Sequence, residues 1–307
     1  MSFINDRHNQ IYLEPDKRTF NVPNYPKFID TTLNSTDSIS GIYYAGSDKI
    51  LLQKETNNLW YGITLASDSE EWTKGKIRLR INKTPNGNFE IFEYFKNGLL
   101  WYQKNIKISD GRITSTFWNK DDNYYFNKNH RENFTYTSLN PTFDYIGIKT
   151  LRRTNKLINE ADRFYSNTLD KLTKKNLILD LRNNGGGSIN QAKPLLKSLK
   201  RNKTIQNIYV LINFKTASAA ELMALQLKED KRTILAGENS KGMLAYGYGN
   251  SAFTTKQNCS GFKIVLSTKQ SGRKLKKNEI IGITPNLHLN NNLDWVQQIV
   301  EFSMAKR

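Results

Sequence analysis

Residues 177–187 read Leu177-Ile178-Leu179-Asp180-Leu181-Arg182-Asn183-Asn184-Gly185-Gly186-Gly187. This is a buried apolar strand running into a polar, glycine-rich turn, with a helical pattern behind it. Successive glycines let the backbone approach a ligand closely, take dihedrals barred to other residues and turn its N–H groups outward, which makes an anion pocket. Taken alone, the same glycines would serve a loop packed tightly against a helix. A second strand-to-helix junction follows: Ile208-Tyr209-Val210-Leu211-Ile212-Asn213, then Phe214-Lys215-Thr216-Ala217-Ser218-Ala219-Ala220-Glu221-Leu222. Here a serine flanked by small residues opens a helix. A nucleophile needs that placement if its hydroxyl is to stay accessible near free helix N–H groups.

Outward from these junctions, apolar runs after Thr142 alternate with helical patterns over 155–171 and 188–199. Such alternation predicts an α/β layer over 138–307. The stretch 38–137 differs. Alternating runs such as Gly41-Ile42-Tyr43-Tyr44, Lys76-Ile77-Arg78-Leu79-Arg80-Ile81 and Phe89-Glu90-Ile91-Phe92-Glu93-Tyr94-Phe95 are separated by turn signals at Pro85-Asn86-Gly87-Asn88, Lys96-Asn97-Gly98 and Ser109-Asp110-Gly111. Period-two alternation with Asn-Gly and Asp-Gly turns predicts an antiparallel meander closing into a small barrel or sandwich. Residues 1–37 form an N-terminal segment ahead of it.

With 307 residues the chain can bury a full core as one large or two modest domains. A hydrophobic content of 37% with 11% aromatics excludes a disordered chain. The formal net charge of +18 attracts polyanions, acidic peptides included. No nucleic-acid module is recognisable, and a lysine-rich, asparagine-rich proteome would produce the same excess. A single cysteine, Cys259, excludes an intramolecular disulfide. With three histidines besides, neither a metal site nor a cofactor is expected. His130 and His288 show no partner spacing. No run approaches the length of a membrane-spanning helix.

The two junctions resemble those of the serine peptidase family that contains the carboxyl-terminal (tail-specific) processing proteases and the tricorn core protease. In that family an Asp-Leu-Arg-Asn-Asn-x-Gly-Gly turn precedes a Ser-Ala-Ser-Ala-Ser-Glu-like segment. Two later stretches extend the likeness over residues 143–290. Ile234-Leu235-Ala236-Gly237-Glu238-Asn239-Ser240-Lys241-Gly242 looks like the family's Val-Gly-Glu-x-Thr segment, and Gly282-Ile283-Thr284-Pro285-Asn286 looks like its Gly-Ile-x-Pro-Asp ending, with Asn for Asp. The resemblance implies a crotonase/ClpP-like α/β peptidase core with a separate β-rich domain. No Gly-Leu-Gly-Phe-like carboxylate-binding loop is found, so the PDZ module common in processing proteases, with its tail-capture role, is not expected. The family's members are usually exported, to the periplasm or cell envelope. Met1-Ser2-Phe3-Ile4-Asn5-Asp6-Arg7-His8 lacks a signal peptide's apolar core, which is the expectation for a mature domain or a fragment.

Carried over residue by residue, the resemblance makes Ser218 the nucleophile, with Glu221 closing its motif. The N–H of Ala219 and that of Gly185 or Gly186 would hold the oxyanion. The base differs between branches. Processing proteases place a lysine five residues after the glutamate of the Gly-Glu-x-Thr segment, but ungapped counting from Glu238 lands on Met243. Lys241, two residues early, is the alternative base. The tricorn branch uses an N-terminal histidine oriented by a glutamate just before the Gly-x-x-Pro ending. Asp6-Arg7-His8-Asn9-Gln10-Ile11-Tyr12-Leu13-Glu14 and Glu279 match those places. Imidazole titrates near working pH, whereas a lysine must be desolvated to serve as base. The favoured assignment is therefore Ser218 with His8 and Glu279. Tyr246-Gly247-Tyr248-Gly249 would line the substrate cleft, or form a β-turn.

The expectation is a serine endopeptidase acting through an acyl-enzyme on a peptide or protein substrate. The alternatives are a Ser218–Lys241 processing protease and a catalytically silent binding member of the same fold. A charge-driven nucleic-acid or envelope-surface binder is the third.

Overall fold

The computed structural model describes residues 10–13, 21–27, 37–96, 100–109, 111–121, 125–128, 130–247, 253–256, 262–270 and 272–305. The chain divides into two compact units, Leu13–Tyr124 and the combination of Met1–Tyr12 with Tyr125–Arg307.

After the first strand, β1 (Gln10–Leu13), the smaller unit builds β2 (Gly41–Ala45), β3 (Asp48–Thr56), β4 (Leu59–Ala66), β5 (Ile77–Lys83), β6 (Phe89–Tyr94) and β7 (Leu100–Ile106), then the short pair β8 (Ile108–Ser109) and β9 (Arg112–Ile113). Strands β2 to β7 pair with their sequence neighbours in one antiparallel six-stranded sheet. The runs at 41–44, 76–81 and 89–95 fall on β2, β5 and β6, whereas of the alternating run 112–118 only Arg112–Ile113 is a strand. Tyr43, Ile50, Trp60, Leu79 and Ile91 cluster as its main core, and Tyr25, Ile63 and Ile77 as a smaller one.

The larger unit continues with β10 (Phe134–Asn140), β11 (Phe143–Ile148), α1 (Asn155–Thr168), β12 (Asn176–Asp180), α2 (Lys193–Arg201), β13 (Asn207–Ile212), α3 (Ala219–Lys228) and β14 (Thr233–Gly237). It closes with β15 (Tyr246–Gly247), β16 (Phe253–Lys256), β17 (Phe262–Leu266), β18 (Lys269–Gln270), β19 (Leu287–His288) and α4 (Trp295–Ala305). Its main sheet runs β10-β11-β12-β13-β14-β19, with β10 antiparallel and the rest parallel. Strands β11 and β12 are buried at every position, as their mostly apolar character favours, with Asp144 and Asp180 buried against the hydroxyls of Tyr136 and Tyr145. Thr154 caps α1 by accepting the Leu157 N–H at 3.3 Å, and Pro194 sits in the first turn of α2, where its missing N–H is not needed. No helix among the described residues is long and apolar enough to cross a membrane.

The unit boundaries differ from those expected at 37 and 137. Position 137 lies inside β10, where Thr137 pairs with Tyr145 of the α/β sheet. Alternation in Phe134–Asn140 reads the same in an edge strand of either sheet, so the pattern could not assign it. At the other end, residues before Ser38 belong to the β unit: Tyr25 N–H donates to Gly75 O at 2.9 Å and Ile77 N–H to Pro23 O at 3.0 Å. Strand β1, in contrast, joins β17 and β16 in a three-stranded sheet. The β-rich unit is therefore an insertion after the N-terminal strand.

A fragment spanning 13–124 should melt cooperatively by circular dichroism. One spanning 38–137 should be less stable, because it loses the Tyr25 cluster and carries β10 without its partner. Equal melting temperatures for the two fragments would contradict these boundaries.

Candidate active site

Parallel strands place the turns that follow them side by side at one end of the sheet. The turns after β12, β13 and β14 meet there, and the sequence stitches them through asparagines. Asn183 N–H donates to Asn213 Oδ1 at 2.9 Å, and Asn213 Nδ2 returns a bond to Asn183 Oδ1 at 2.7 Å. Thr216 Oγ1 donates to Leu181 O at 2.8 Å, and Ala217 N–H to Asn184 O at 2.9 Å. Asn184 is fully buried; its Nδ2 donates to Ile148 O at 2.9 Å. Each bond satisfies a polar group that burial would otherwise leave costly.

Beneath the glycine turn lies an ion pair. Asp180 has no exposed surface and takes the Arg182 Nε at 2.9 Å, the Arg182 N–H at 3.0 Å and the Tyr145 hydroxyl at 2.9 Å. Burial alone would push its carboxyl up. The guanidinium beside it prevails and holds it below the ordinary carboxylate range. His130, unassigned by spacing, is buried against this pair: its Nε2 donates to Arg182 O at 3.2 Å and lies 4.0 Å from Asp180 Oδ1. Burial, ahead of the Asp180 charge, pushes its imidazole below the ordinary histidine value.

Ser218 sits immediately before α3 with φ 54° and ψ −120°. These are the angles of the first central residue of a type II′ turn, a conformation that strains any residue bearing a Cβ. The turn is closed by Ala220 N–H donating to Ala217 O at 3.1 Å. Gly186 packs so closely here that a Cβ would stand 2.9 Å from the Ser218 Cβ and 2.6 Å from Ala217 O. Gly186 N–H is used within its own turn, donating to Asn184 Oδ1 at 2.9 Å. Among the described residues the N–H groups of Gly185 and Ala219 have no acceptor. Gly185 is exposed.

The third turn is fixed by two buried carboxylates. Glu221 accepts the Ser218 N–H at 2.8 Å, the Gly242 N–H at 2.8 Å, the Met243 N–H at 2.9 Å and the Ser240 hydroxyl at 2.5 Å. Burial prevails over these donors and pushes its carboxyl above the ordinary value. Glu279 takes the next two amides, Leu244 at 2.8 Å and Ala245 at 2.7 Å. Lys241 lies between two of Glu221's partners, and its own N–H donates to Thr216 O at 2.9 Å.

Ser218, Ala219, Gly185, Gly186 and Glu221 therefore come together, Lys241 lies on the adjoining strap, and Glu279 holds that strap's far end. His8, Cys259, Tyr248 and Gly249 lie outside the described residues. Tyr246 and Gly247 form β15, and His288 lies on β19 with its side chain exposed. Sequence reasoning overlooked His130, and its charged neighbours gave no spacing signal that could have found it.

A strained serine at a helix start, beside a glycine turn and two unused N–H groups, is the layout of a serine-type peptidase. Residues 144–208 and 198–289 match peptidase family S41. The chain is 30% identical to the chloroplastic C-terminal processing peptidase of Tetradesmus obliquus, over 39% of this chain and 30% of that protein. It is 35% identical to the carboxy-terminal processing protease CtpA of Bacillus subtilis (strain 168), over 24% of this chain and 21% of that one. The matched part thus spans less than a third of either relative. A putative S41 protease of Bacteroides fragilis NCTC 9343 aligns with a TM-score of 0.48 and 12% identity, over 99% of this chain and 87% of that one. The likeness read from the motifs stands over residues 144–289.

Replacing Gly186 by Ala should leave secondary structure intact but lower the melting temperature and displace the Ser218 turn, since φ is +89° and the added methyl meets backbone. Unchanged stability would show that the turn can give way. Asp180 gives a pH test. Its lowered folded pKa means that its contribution is present above the unfolded value of about 3.9 and is lost as pH falls through the folded one. Urea melts of Asp180→Asn should be less acid-sensitive than wild type. At neutral pH the variant should be destabilised by about 3–5 kcal/mol, because the Arg182 guanidinium stays buried without its counter-charge.

Proposed function

We propose that this chain is a serine endopeptidase with a crotonase/ClpP-like core, cutting peptide bonds through an acyl-enzyme on Ser218. One observation carries the reading: Ser218 is held in a strained turn beside two N–H groups, of Ala219 and Gly185, that have no acceptor among the described residues. Such strain is kept where surrounding bonds over-determine it, and it recurs at catalytic turns. In the reaction Ser218 Oγ attacks the scissile carbonyl carbon while a base takes its proton. The negative oxygen of the tetrahedral intermediate is held by Ala219 and Gly185, and collapse breaks the C–N bond as the base's proton passes to the leaving amine. Water then repeats the sequence on the ester. Gly186 serves this centre through close packing, its own N–H being committed to Asn184.

For the base we keep His8 oriented by Glu279. A second reading, Lys241 as base, is favoured by a specific observation: its backbone is bonded to Thr216, two residues before the nucleophile, and its neighbours Ser240 and Gly242 share Glu221 with Ser218. The unit that contains Ser218 carries 31 of the chain's Lys and Arg against 14 Asp and Glu, which favours acidic peptides as substrates.

Ser218→Ala should abolish both peptide hydrolysis and labelling by a fluorophosphonate while leaving the melt unchanged. Labelling of the wild type without turnover of any peptide library would favour a silent binding member. If His8 is the base, His8→Ala should lose about as much rate as Ser218→Ala, because such groups act as a unit, and the pH–rate profile should rise near the histidine value. If Lys241→Ala is inactive and His8→Ala active, the Ser–Lys reading replaces it.

A further inference from the structure

The excess charge of the protein is not spread evenly. The β unit, Leu13–Tyr124, has 15 basic and 14 acidic residues, whereas the α/β unit has 31 and 14. A compositional bias of the whole proteome would mark both units, and it marks one.

Within the α/β unit eight cations stand together at the end of the sheet opposite Ser218. In a parallel sheet the turns that lead into the strands lie at the other end from those that follow them. The segment leading into β12 carries Lys171, Lys174 and Lys175; the end of α2 and the loop after it carry Lys200, Arg201 and Lys203 ahead of β13; the end of α3 and the loop after it carry Lys228 and Lys231 ahead of β14. The three loops are level and adjacent, since Asn176 pairs with Asn207 and Ile208 with Thr233. Gln206 N–H donates to Lys175 O at 2.7 Å and Ile208 N–H to Arg232 O at 2.8 Å. The Arg232 guanidinium locks them by donating to Leu199 O, Asn202 O and Ile205 O at 2.7–2.8 Å. Apart from Lys174, which is half-buried, these eight cations are exposed, against Asp170 and Glu229 as exposed acids; Asp230 is tied to Arg232. None of the eight makes an ion pair within 4 Å among the described residues.

Cations in the last turns of α2 and α3 are what helix dipoles favour, and that accounts for Lys200, Arg201 and Lys228. It does not account for Lys175, Lys203 and Lys231, which stand in the loops. The rim's apolar residues Leu172, Leu199, Ile205 and Leu227 are buried and Leu169 is half-buried, so no fully exposed apolar side chain of these segments is set to insert into a bilayer or stack on a base. Helix ends on this side present carbonyls, which disfavours a pocket for a single phosphate. What remains is a level, diffuse positive face.

We propose that this rim docks the protein on an anionic lipid surface, by charge alone and without insertion, leaving the Ser218 end of the α/β unit turned away from that surface. Basic residues near an anionic leaflet attract it additively, and the attraction is screened within a Debye length. The proposal is independent of the peptidase reading, since it concerns the opposite end of the sheet.

The test is co-sedimentation with large vesicles of equimolar phosphatidylglycerol and phosphatidylcholine, against vesicles of phosphatidylcholine alone. The wild type should bind the first only and be released by salt. Replacing Lys175, Lys200, Lys203 and Lys231 together by Gln should weaken binding on the order of a hundredfold or more. The same four changed to Arg should bind like wild type, which separates loss of charge from loss of fold. A control that removes four cations at the other end, Arg152, Arg153, Lys156 and Lys193, should keep most of the binding. Equal loss in the control, or none in the rim variant, overturns the proposal. Displacement from the vesicles by a DNA duplex at equal phosphate concentration would make the partner a nucleic acid and overturn the lipid assignment.

Discussion

Glu221 is the group on which the rest of the α/β unit's upper end depends. Its carboxylate has no exposed surface, and a buried carboxylate is tolerable only when donors surround it. The donors come from two places in the chain, Ser218 on one side and Ser240, Gly242 and Met243 on the other. Holding Ser218 at positive φ costs about 1–3 kcal/mol, and a hydrogen bond to a charged acceptor returns about 1.5–3 kcal/mol. The bond from Ser218 N–H alone is therefore of the size needed to keep the strained turn. A side chain three residues into a helix thus does two jobs: it closes the helix start, and it welds the Ser218 turn to the loop after β14.

The glycine turn is supported from beneath in a comparable way, by the Asp180–Arg182 pair with Tyr145 and His130 around it. Removal of either charge would leave the other stranded in a dry interior, so the pair acts as a unit. Its position matters more than its strength. Arg182 directly precedes the Asn183–Asn184 turn, and its guanidinium also reaches Tyr125 O while lying over the Trp295 ring at 5.2 Å. The residues that present Gly185 are in this way anchored to the start of the α/β unit and to its last helix.

Much of this was legible in the sequence because local chemistry dictated it. A short apolar run bounded by turn signals reads as a strand covered on both faces, so β12 and β13 were readable, as were the turns that end them. Three hairpins of the β unit, β5–β6, β6–β7 and β8–β9, were readable from Asn-Gly and Asp-Gly steps. What could not be read were features set by tertiary contact. Phe134–Asn140 alternates just as the meander does, and only its pairing with β11 assigns it to the other sheet. The Pro23–Tyr25 strap has no periodicity, yet Tyr25 completes a core with Ile63 and Ile77. His130 sits among charged neighbours in sequence and still folds into the interior, where Arg182 O accepts a hydrogen bond from its Nε2–H.

The strap after β14 shows why spacing alone misjudges a site like this one. Counting residues from Glu238 reaches Met243, an apolar side chain, and Lys241 stands two places short. In the folded chain four consecutive amides, from Gly242 to Ala245, are taken in pairs by Glu221 and Glu279. A strap fixed at both ends by carboxylates has its path set by those bonds and not by its length. Gly242 makes that path possible, since a Cβ there would lie 2.6 Å from the Ile280 carbonyl carbon. Ile280 is itself held at φ 72°, a strained value for a β-branched residue, with its N–H on Gly242 O at 2.9 Å. Both candidate bases therefore depend on the same construction: Lys241 rides on the strap, and the glutamate that would orient His8 is one of its two anchors. In the proposed reaction, whatever takes the proton from Ser218 does so beside a segment whose shape Glu221 and Glu279 jointly impose.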